Sequence, residues 1–233
     1  MNQFLHTQAL RVARRFNSRM IWGLLFDRKG YLHQSGWLRS VRRMQAIDVT
    51  DCPIPWLSYP FIEFIEPRLN KFMNVYEYGS GNSTRWFAKR VGLIHAIEHS
   101  LDWYNTIKGN LPDNAILVYE PLELKADYHD MAFMDVNDET PYSLNIKTRN
   151  LLYDIVIVDG VNRNNCIANS IGCVSSNGVI IVDNLEYSGQ MQAGLNLLKD
   201  AGFKRLEFWG LSPIVYTKTG TGLFYRPDNC LLI

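Results

Sequence analysis

The chain has 233 residues, 47% hydrophobic and 20% charged, with a formal net charge of +1. This balance suits one large α/β domain with an extension and excludes a chain that is disordered by default. The longest apolar run near the N-terminus, residues 20 to 26, falls well short of the roughly 20 residues that a membrane-spanning helix needs. No small-residue cleavage site follows it. Cys52, Cys166, Cys173 and Cys230 lack paired metal spacing, two of them falling in one predicted helix; they read as reduced thiols of a cytoplasmic protein.

The small net charge conceals an asymmetry. Residues 1 to 47 contain nine Lys or Arg against Asp27 alone, giving +8, and the remainder carries −7. Leu5, Ala9, Val12, Phe16 and Met20 recur at helical spacing with Arg11, Arg14 and Arg15 turned away from them, which predicts a basic amphipathic helix. A second short helix is expected over residues 37 to 44, carrying Arg39, Arg42 and Arg43. Such an arm suits peripheral contact with an anionic membrane, or docking of its apolar face on the acidic remainder of the chain. Pro53 and Pro55 then stiffen a connection. The expected division is an extension over residues 1–57 and a main domain over 58–233.

The main domain opens with an apolar helical face, Phe61, Ile62, Phe64, Ile65 and Leu69. An apolar strand at Val75-Tyr76-Glu77-Tyr78 then runs into Gly79-Ser80-Gly81 and the helix-starting cluster Asn82-Ser83-Thr84. The glycines permit a tight turn and close approach by a ligand, and the helix start supplies unpaired amides. A dinucleotide fingerprint needs a third glycine where Thr84 stands, and no Gly-Lys-Ser/Thr of a phosphate-binding loop follows. The next strand ends in Glu98, about twenty residues after the glycines, where a carboxylate can accept hydrogen bonds from both hydroxyls of a ribose.

The alternation continues down the chain. Leu101, Tyr104, Ile107 and Leu111 predict a helix stopped by Pro112, and Ala115–Tyr119 a third strand. Residues 120 to 145 are polar and acidic, and they include Leu122, Tyr128 and His129. A continuous apolar strand over residues 153 to 158 closes in Asp159-Gly160, as a strand buried on both faces does. A crossover helix is expected over residues 166 to 174, and a fifth strand follows over 178 to 182, ending in Asp183-Asn184. Met191, Leu195 and Leu198 mark a further helix closed by Gly202. Residues 203 to 211 and 221 to 225 form the last two strands. Glu77, Glu98, Asp159 and Asp183 thus share the carboxyl edge of the sheet, where open α/β sheets gather ligands.

The motif Glu77-Tyr78-Gly79-Ser80-Gly81-Asn82-Ser83-Thr84, with its acid two residues before the first glycine, resembles motif I of class I S-adenosylmethionine (SAM)-dependent methyltransferases. With Pro53-Ile54-Pro55-Trp56 ahead of it, the chain is most similar to a bacterial group of that superfamily, over residues 75 to 230. The resemblance implies a Rossmann-like sheet of five parallel strands closed by an antiparallel pair, preceded by the helical extension. It implies SAM as cofactor, contacted by Glu77, Gly79, Ser80, Gly81, Ser83, Thr84, Glu98, His99, Leu122 and Asp159.

The acceptor is argued by elimination. Amino-methylating relatives often carry Asn/Asp-Pro-Pro-Tyr/Phe after the fourth strand, but Asp159-Gly160-Val161-Asn162 stands there, which disfavours nucleobase amines and a nucleic-acid partner. A hydroxyl on a small-molecule, glycan or lipid-linked acceptor is expected instead. Asp159 with Asp183-Asn184 resembles the Asp…Asp-Asn ligand triplet of metal-dependent O-methyltransferases, which would hold a divalent cation such as Mg²⁺ and lower the pKa of the hydroxyl. Two departures count against it: a glycine turn one residue shorter, and a tight 24-residue separation of the two Asp. Without metal, Asp183 is the candidate base, with Asp159 on cofactor or water, and His129 is a third catalytic candidate. The rival reading is a non-catalytic protein that keeps the fold and uses its basic arm as a membrane or partner adaptor. Intact Glu77, Gly79, Gly81 and Glu98 speak against it.

Overall fold

The computed structural model describes residues 18–122 and 131–233. Its strands are β1 (Asn74–Tyr78), β2 (Leu93–Glu98), β3 (Ala115–Tyr119), β4 (Tyr153–Val158), β5 (Val174–Val182), β6 (Lys204–Gly210) and β7 (Thr219–Tyr225). They form one sheet in the order β3-β2-β1-β4-β5-β7-β6. β1 to β5 pair in parallel, and β7 runs antiparallel to both β5 and β6. This is the expected Rossmann-like methyltransferase sheet of five parallel strands and a closing antiparallel pair. The strand order reverses between β1 and β4, which opens a crevice at their carboxyl ends.

Both faces of the sheet are buried because the central strands are apolar at nearly every position. Val75, Ile94, Ile155, Ile157 and Ile181 join Phe61, Ile65, Trp86 and Phe87 on one face. Tyr76, Tyr78, Val156, Val158 and Ile180 join Tyr142, Ile167, Leu195 and Leu198 on the other. Tyr153 joins the same core face as Val156, and the β4–β5 register shifts between Tyr153 and Ile155, where β5 carries the extra residues. The buried tyrosines also order the chain beneath the sheet: the Tyr78 hydroxyl donates to Ser143 O at 2.8 Å and that of Tyr76 to Asn145 Oδ1 at 3.1 Å. Each such bond contributes about 1 kcal/mol, and a hydroxyl left without a partner there would cost more.

The helices are α1 (Ser18–Phe26), α2 (Tyr31–Gln34), α3 (Trp37–Arg43), α4 (Tyr59–Ile65), α5 (Asn82–Ala88), α6 (Leu101–Lys108), α7 (Pro141–Leu144), α8 (Arg163–Ile171) and α9 (Gln192–Asp200). Helix α4 is shorter than its apolar face suggests, because Pro67 cannot continue it and the chain tightens into a 3₁₀ turn at Glu66–Arg68. The crossover helix begins three residues earlier than expected and ends at Ile171, with Cys173 beyond it. Asn162, in the left-handed conformation, redirects the chain into it, and Gly172 caps its end.

The extension packs onto the sheet domain. Ala46, Ile54 and Leu57 belong to the same core as Phe61 and Trp86. Trp37 Nε1 donates to Val215 O at 2.7 Å, and Asn82 Nδ2 to Ala46 O at 2.8 Å. Of the amphipathic helix expected from Leu5 to Met20, the part up to residue 17 lies outside the described residues, and Met20 falls in α1. No helix among the described residues is long and apolar enough to cross a membrane.

Candidate active site

Backbone pairing sets the site. Gly79 N donates to Ile97 O at 3.0 Å, Asp159 N to Tyr78 O at 3.0 Å, and Asp183 N to Val158 O at 3.2 Å. Glu98, Gly79, Asp159 and Asp183 therefore stand in one row along the carboxyl edge. Gly79 has φ of 95°, a conformation that favours glycine, and a Cβ there would meet Asp159 O at 3.0 Å. A Cβ on Gly160 would overlap the Tyr142 hydroxyl and come within 2.9 Å of Gly79 N. The turn after β1 and the turn after β4 are thus packed backbone on backbone.

The two glutamates of the turn have opposite environments. Glu77 is buried beneath it, with Oε2 accepting from the Thr84 hydroxyl at 2.5 Å, while Thr84 Oγ1 accepts from Gly81 N at 3.0 Å. Burial pushes the Glu77 carboxyl up to about 7, against the hydrogen bonds of Ser83 and Thr84. Glu77 and Thr84 therefore shape the turn from below. Glu98, 3% exposed at the end of β2, packs against the turn and accepts four hydrogen bonds. Oε2 takes Ser80 N at 3.2 Å and Ser80 Oγ at 2.9 Å, and Oε1 takes His99 N at 3.0 Å and Ser100 N at 2.9 Å. Burial raises its pKa, but the surrounding donors, His99 first, outweigh it and hold Glu98 below the usual carboxylate range. Of the four donors only the Ser80 hydroxyl sits on a freely rotating group. A ribose diol can replace it without disturbing the backbone.

The far end of the row is organised by a residue that the sequence reading did not single out. Arg163, on the first turn of α8, sends Nε to Gly160 O at 2.9 Å, Nη1 to Asp183 O and to Asn184 Oδ1 at 2.8 Å each, and Nη2 to Asp159 Oδ1 at 3.3 Å. It ties the ends of β4 and β5 together. Little in the sequence signalled it: Arg163 lies four residues after Asp159, but Asp159 precedes the helix, so no helical pairing rule links them. Its neighbours extend the brace, since Asn164 Nδ2 holds Met134 O and Gln190 O, and Asn165 Nδ2 holds Asp135 O.

This arrangement corrects the expected metal triplet. The guanidinium occupies Asp159 and Asn184, and Asp183 Oδ1 accepts the Thr221 hydroxyl at 2.6 Å. A divalent ion would have to displace Arg163 or sit against its charge, so Asp159, Asp183 and Asn184 as placed do not fit one. Among the described residues no group of three or more His, Cys, Asp or Glu is positioned for a metal either. Burial raises both aspartates above the ordinary range, with Arg163 opposing the shift. They differ in access. Asp183 is 4% exposed, whereas the Asp159 side chain is 25% exposed.

The remaining candidates divide. His99 Nδ1 lies 3.1 Å from Glu98 Oε1, and its ring meets that of Tyr142 edge-on. Leu122 is half-buried against the core cluster to which Tyr78 and Tyr142 belong. His129 and Tyr128 lie outside the described residues. Trp103 was missed by the helical spacing of Leu101 and Tyr104, yet its Nε1 donates to Ser80 O at 2.6 Å and its ring lies beside Gly81. It gives the turn a half-exposed aromatic wall.

No family model and no curated protein matches the chain. Solved structures do match its fold. A precorrin-6y C5,15-methyltransferase from Geobacter metallireducens superposes with a TM-score of 0.52 at 14% identity, covering 72% of this chain and 87% of its own. A precorrin-8w decarboxylase from Methanobacterium thermoautotrophicum gives 0.51 at 18% identity, covering 72% and 88%. An rRNA methylase from Streptococcus thermophilus gives 0.50 at 13% identity, covering 72% and 96%. Likeness at this identity carries the fold and leaves the reaction to the residues of the site.

Proposed function

We propose that this protein is a SAM-dependent methyltransferase that transfers the methyl group to a hydroxyl of a small-molecule, glycan or lipid-linked acceptor, with Asp159 as general base and without a divalent ion. The observation that carries the proposal is the juxtaposition, across one glycine turn, of a ribose-competent carboxylate (Glu98 with Ser80) and a raised, partly exposed carboxylate (Asp159). The methyltransferase-type sheet supports it. The residues fit such a cofactor: Glu98 Oε2 can turn from the Ser80 hydroxyl to a ribose hydroxyl, Gly81 leaves room beside Trp103, and buried Glu77 lies under the turn to favour positive charge above it.

SAM, when bound, supplies an already activated sulfonium methyl. The chain's task is then to align a nucleophile and remove its proton. Asp159 stands beside the turn, and a carboxyl whose pKa is raised holds a proton near neutrality better than an ordinary aspartate. Arg163 keeps Asp159 in place. Asp183 is closed off by Thr221 and acts by holding β5 to β7. This replaces Asp183 by Asp159 as the preferred base.

Calorimetry with SAM, followed by an acceptor screen with labelled methyl donor, tests the assignment. Glu98→Ala is expected to weaken SAM binding roughly tenfold or more, since a hydrogen bond to a charged group is lost. Asp159→Asn is expected to lower turnover about a hundredfold with SAM affinity nearly intact, and a chelator to leave turnover unchanged. Wild-type SAM affinity in Glu98→Ala would remove the cofactor assignment.

A further inference from the structure

We propose that the N-terminal extension docks this protein on an anionic lipid bilayer, with α1 lying in the interface and an arginine-lined cleft beside it receiving lipid phosphates. Met20, Ile21, Trp22, Leu24, Leu25 and Phe26 are all exposed, Met20 by 70%, Trp22 by 63% and Phe26 by 64%. A helix that packs on its own protein buries one apolar stripe and turns polar groups outward. In α1 six large apolar groups between Met20 and Phe26 meet solvent, a kind of contiguous surface that soluble monomers keep small. Trp22 and Phe26, one turn apart, pack on each other with ring centroids 4.5 Å apart. An apolar helix of this kind, beside basic residues, suits the bilayer interface.

Charge complementarity selects the bilayer as the occupant. Arg28 and Lys29 follow α1 directly, and α1 packs on α2, which packs on α3. There a cleft of about 490 Å³ is lined by His33, Leu38, Arg39, Arg42, Arg43 and Val49. Arg39 pairs with Asp51, whose carboxyl also feels the charge of Arg43, while Arg42 and Arg43 make neither a hydrogen bond nor an ion pair with any described residue. Guanidinium groups with unused donors recognise phosphate oxygens well. An anionic bilayer offers acyl chains to α1 and phosphates to the cleft together. A second copy of this chain would set like charges against one another.

Sedimentation of the full chain with vesicles tests the proposal, using phosphatidylcholine alone and phosphatidylcholine mixed with phosphatidylserine, each at low and high salt. The wild type is expected to bind the mixed vesicles at low salt and several-fold less at high salt or without the anionic lipid. Arg42→Ala/Arg43→Ala should lower binding to mixed vesicles about thirtyfold, the usual contribution of two basic residues at an anionic surface. Trp22→Ser/Phe26→Ser should lower it with both compositions. All these side chains line a surface, so thermal unfolding and SAM affinity serve as controls expected to stay at wild-type values. No sedimentation at low salt, or binding unchanged in both double variants, overturns the proposal. So does either of two other outcomes in the absence of vesicle binding: inorganic phosphate bound through Arg42 and Arg43, or dimerisation through Trp22 and Phe26.

Discussion

Replacing Arg163 with Met keeps most of the side-chain volume and removes the cation that joins β4 to β5. Four acceptors lose a donor: Gly160 O, Asp183 O, Asn184 Oδ1 and Asp159 Oδ1. The Arg163 side chain is 9% exposed, so water replaces it poorly. Breaking a buried pair from one side costs about 3–5 kcal/mol, much of it the uncompensated partner. For a chain of this size each kcal/mol lowers Tm by about 2–4 °C, which places the variant roughly 6–20 °C below wild type. Asp159→Asn/Arg163→Met should recover part of the loss, because the buried charge leaves with its partner. Arg163→Lys should fall between, since one ammonium cannot span four acceptors held by a fork. The deficit should also grow with pH. Without Arg163 the already raised Asp159 rises further; below the ordinary carboxylate pKa both states are protonated and nothing is lost, and the loss accumulates as pH climbs through the folded value. Thermal unfolding followed by circular dichroism at pH 5 and pH 8 measures all of this. A Tm within about 3 °C of wild type at both pH values would refute the brace, as would a double variant no more stable than Arg163→Met alone.

Glu77→Gln should behave in the opposite sense. The wild-type carboxyl titrates near 7 instead of near its ordinary 4.5, so the stability it contributes is complete below the ordinary value and is lost as pH rises through 7. That loss is about 3 kcal/mol, and urea unfolding should find the variant close to wild type at pH 5 but more stable at pH 8.5; a variant weaker at both would contradict the burial argument. Gly160→Ala should lose the close contact of the two turns and destabilise by about 1–3 kcal/mol, because the added methyl meets Tyr142 and Gly79. An unfolding midpoint at the wild-type value would show that the turns give way freely. Trp103→Ala should weaken SAM binding about tenfold in calorimetry while leaving stability almost unchanged, since the ring is 46% exposed; equal affinity would leave it with no part in the site.

The sheet was legible because its strands are continuous apolar runs bounded by glycine or acidic residues, and a parallel strand buried on both faces has no other composition. Ala115–Tyr119 appears as expected. Local pattern failed where packing depends on partners distant in sequence. In α6 the helix appears as the spacing of Leu101, Tyr104, Ile107 and Leu111 predicts, but that spacing does not tell which side chains reach the core: only Ile107 is buried and Leu101 is half-exposed. The helix lies at the sheet edge, where one buried side chain suffices and Trp103 turns toward the Ser80 carbonyl instead. The metal triplet failed for a related reason. Asp159, Asp183 and Asn184 do meet at the strand ends, yet the group that neutralises them is Arg163 from the crossover helix, and Thr221, 38 residues beyond Asp183, takes the second aspartate.

The charge pattern of the crevice bears on which ligand it accepts. Burial drives Glu77, Asp159 and Asp183 upward, and Arg163 is spread over carbonyl, amide and carboxylate oxygens without fully balancing any of them. Glu98 is the exception, ionised by its ring of donors. A phosphate-bearing cofactor would set its negative charge against this row, and the turn amides that would offset it are already spent, Gly79 N on Ile97, Ser80 N on Glu98 and Gly81 N on Thr84. A cofactor with a net positive charge meets the opposite situation, because each cation brought over the turn favours ionisation of Glu77 and Asp159 and strengthens with it. SAM is such a cation and its demethylated product is not. The same buried carboxylates that cost stability in the free protein would hold the methyl donor more tightly than the product that has to leave.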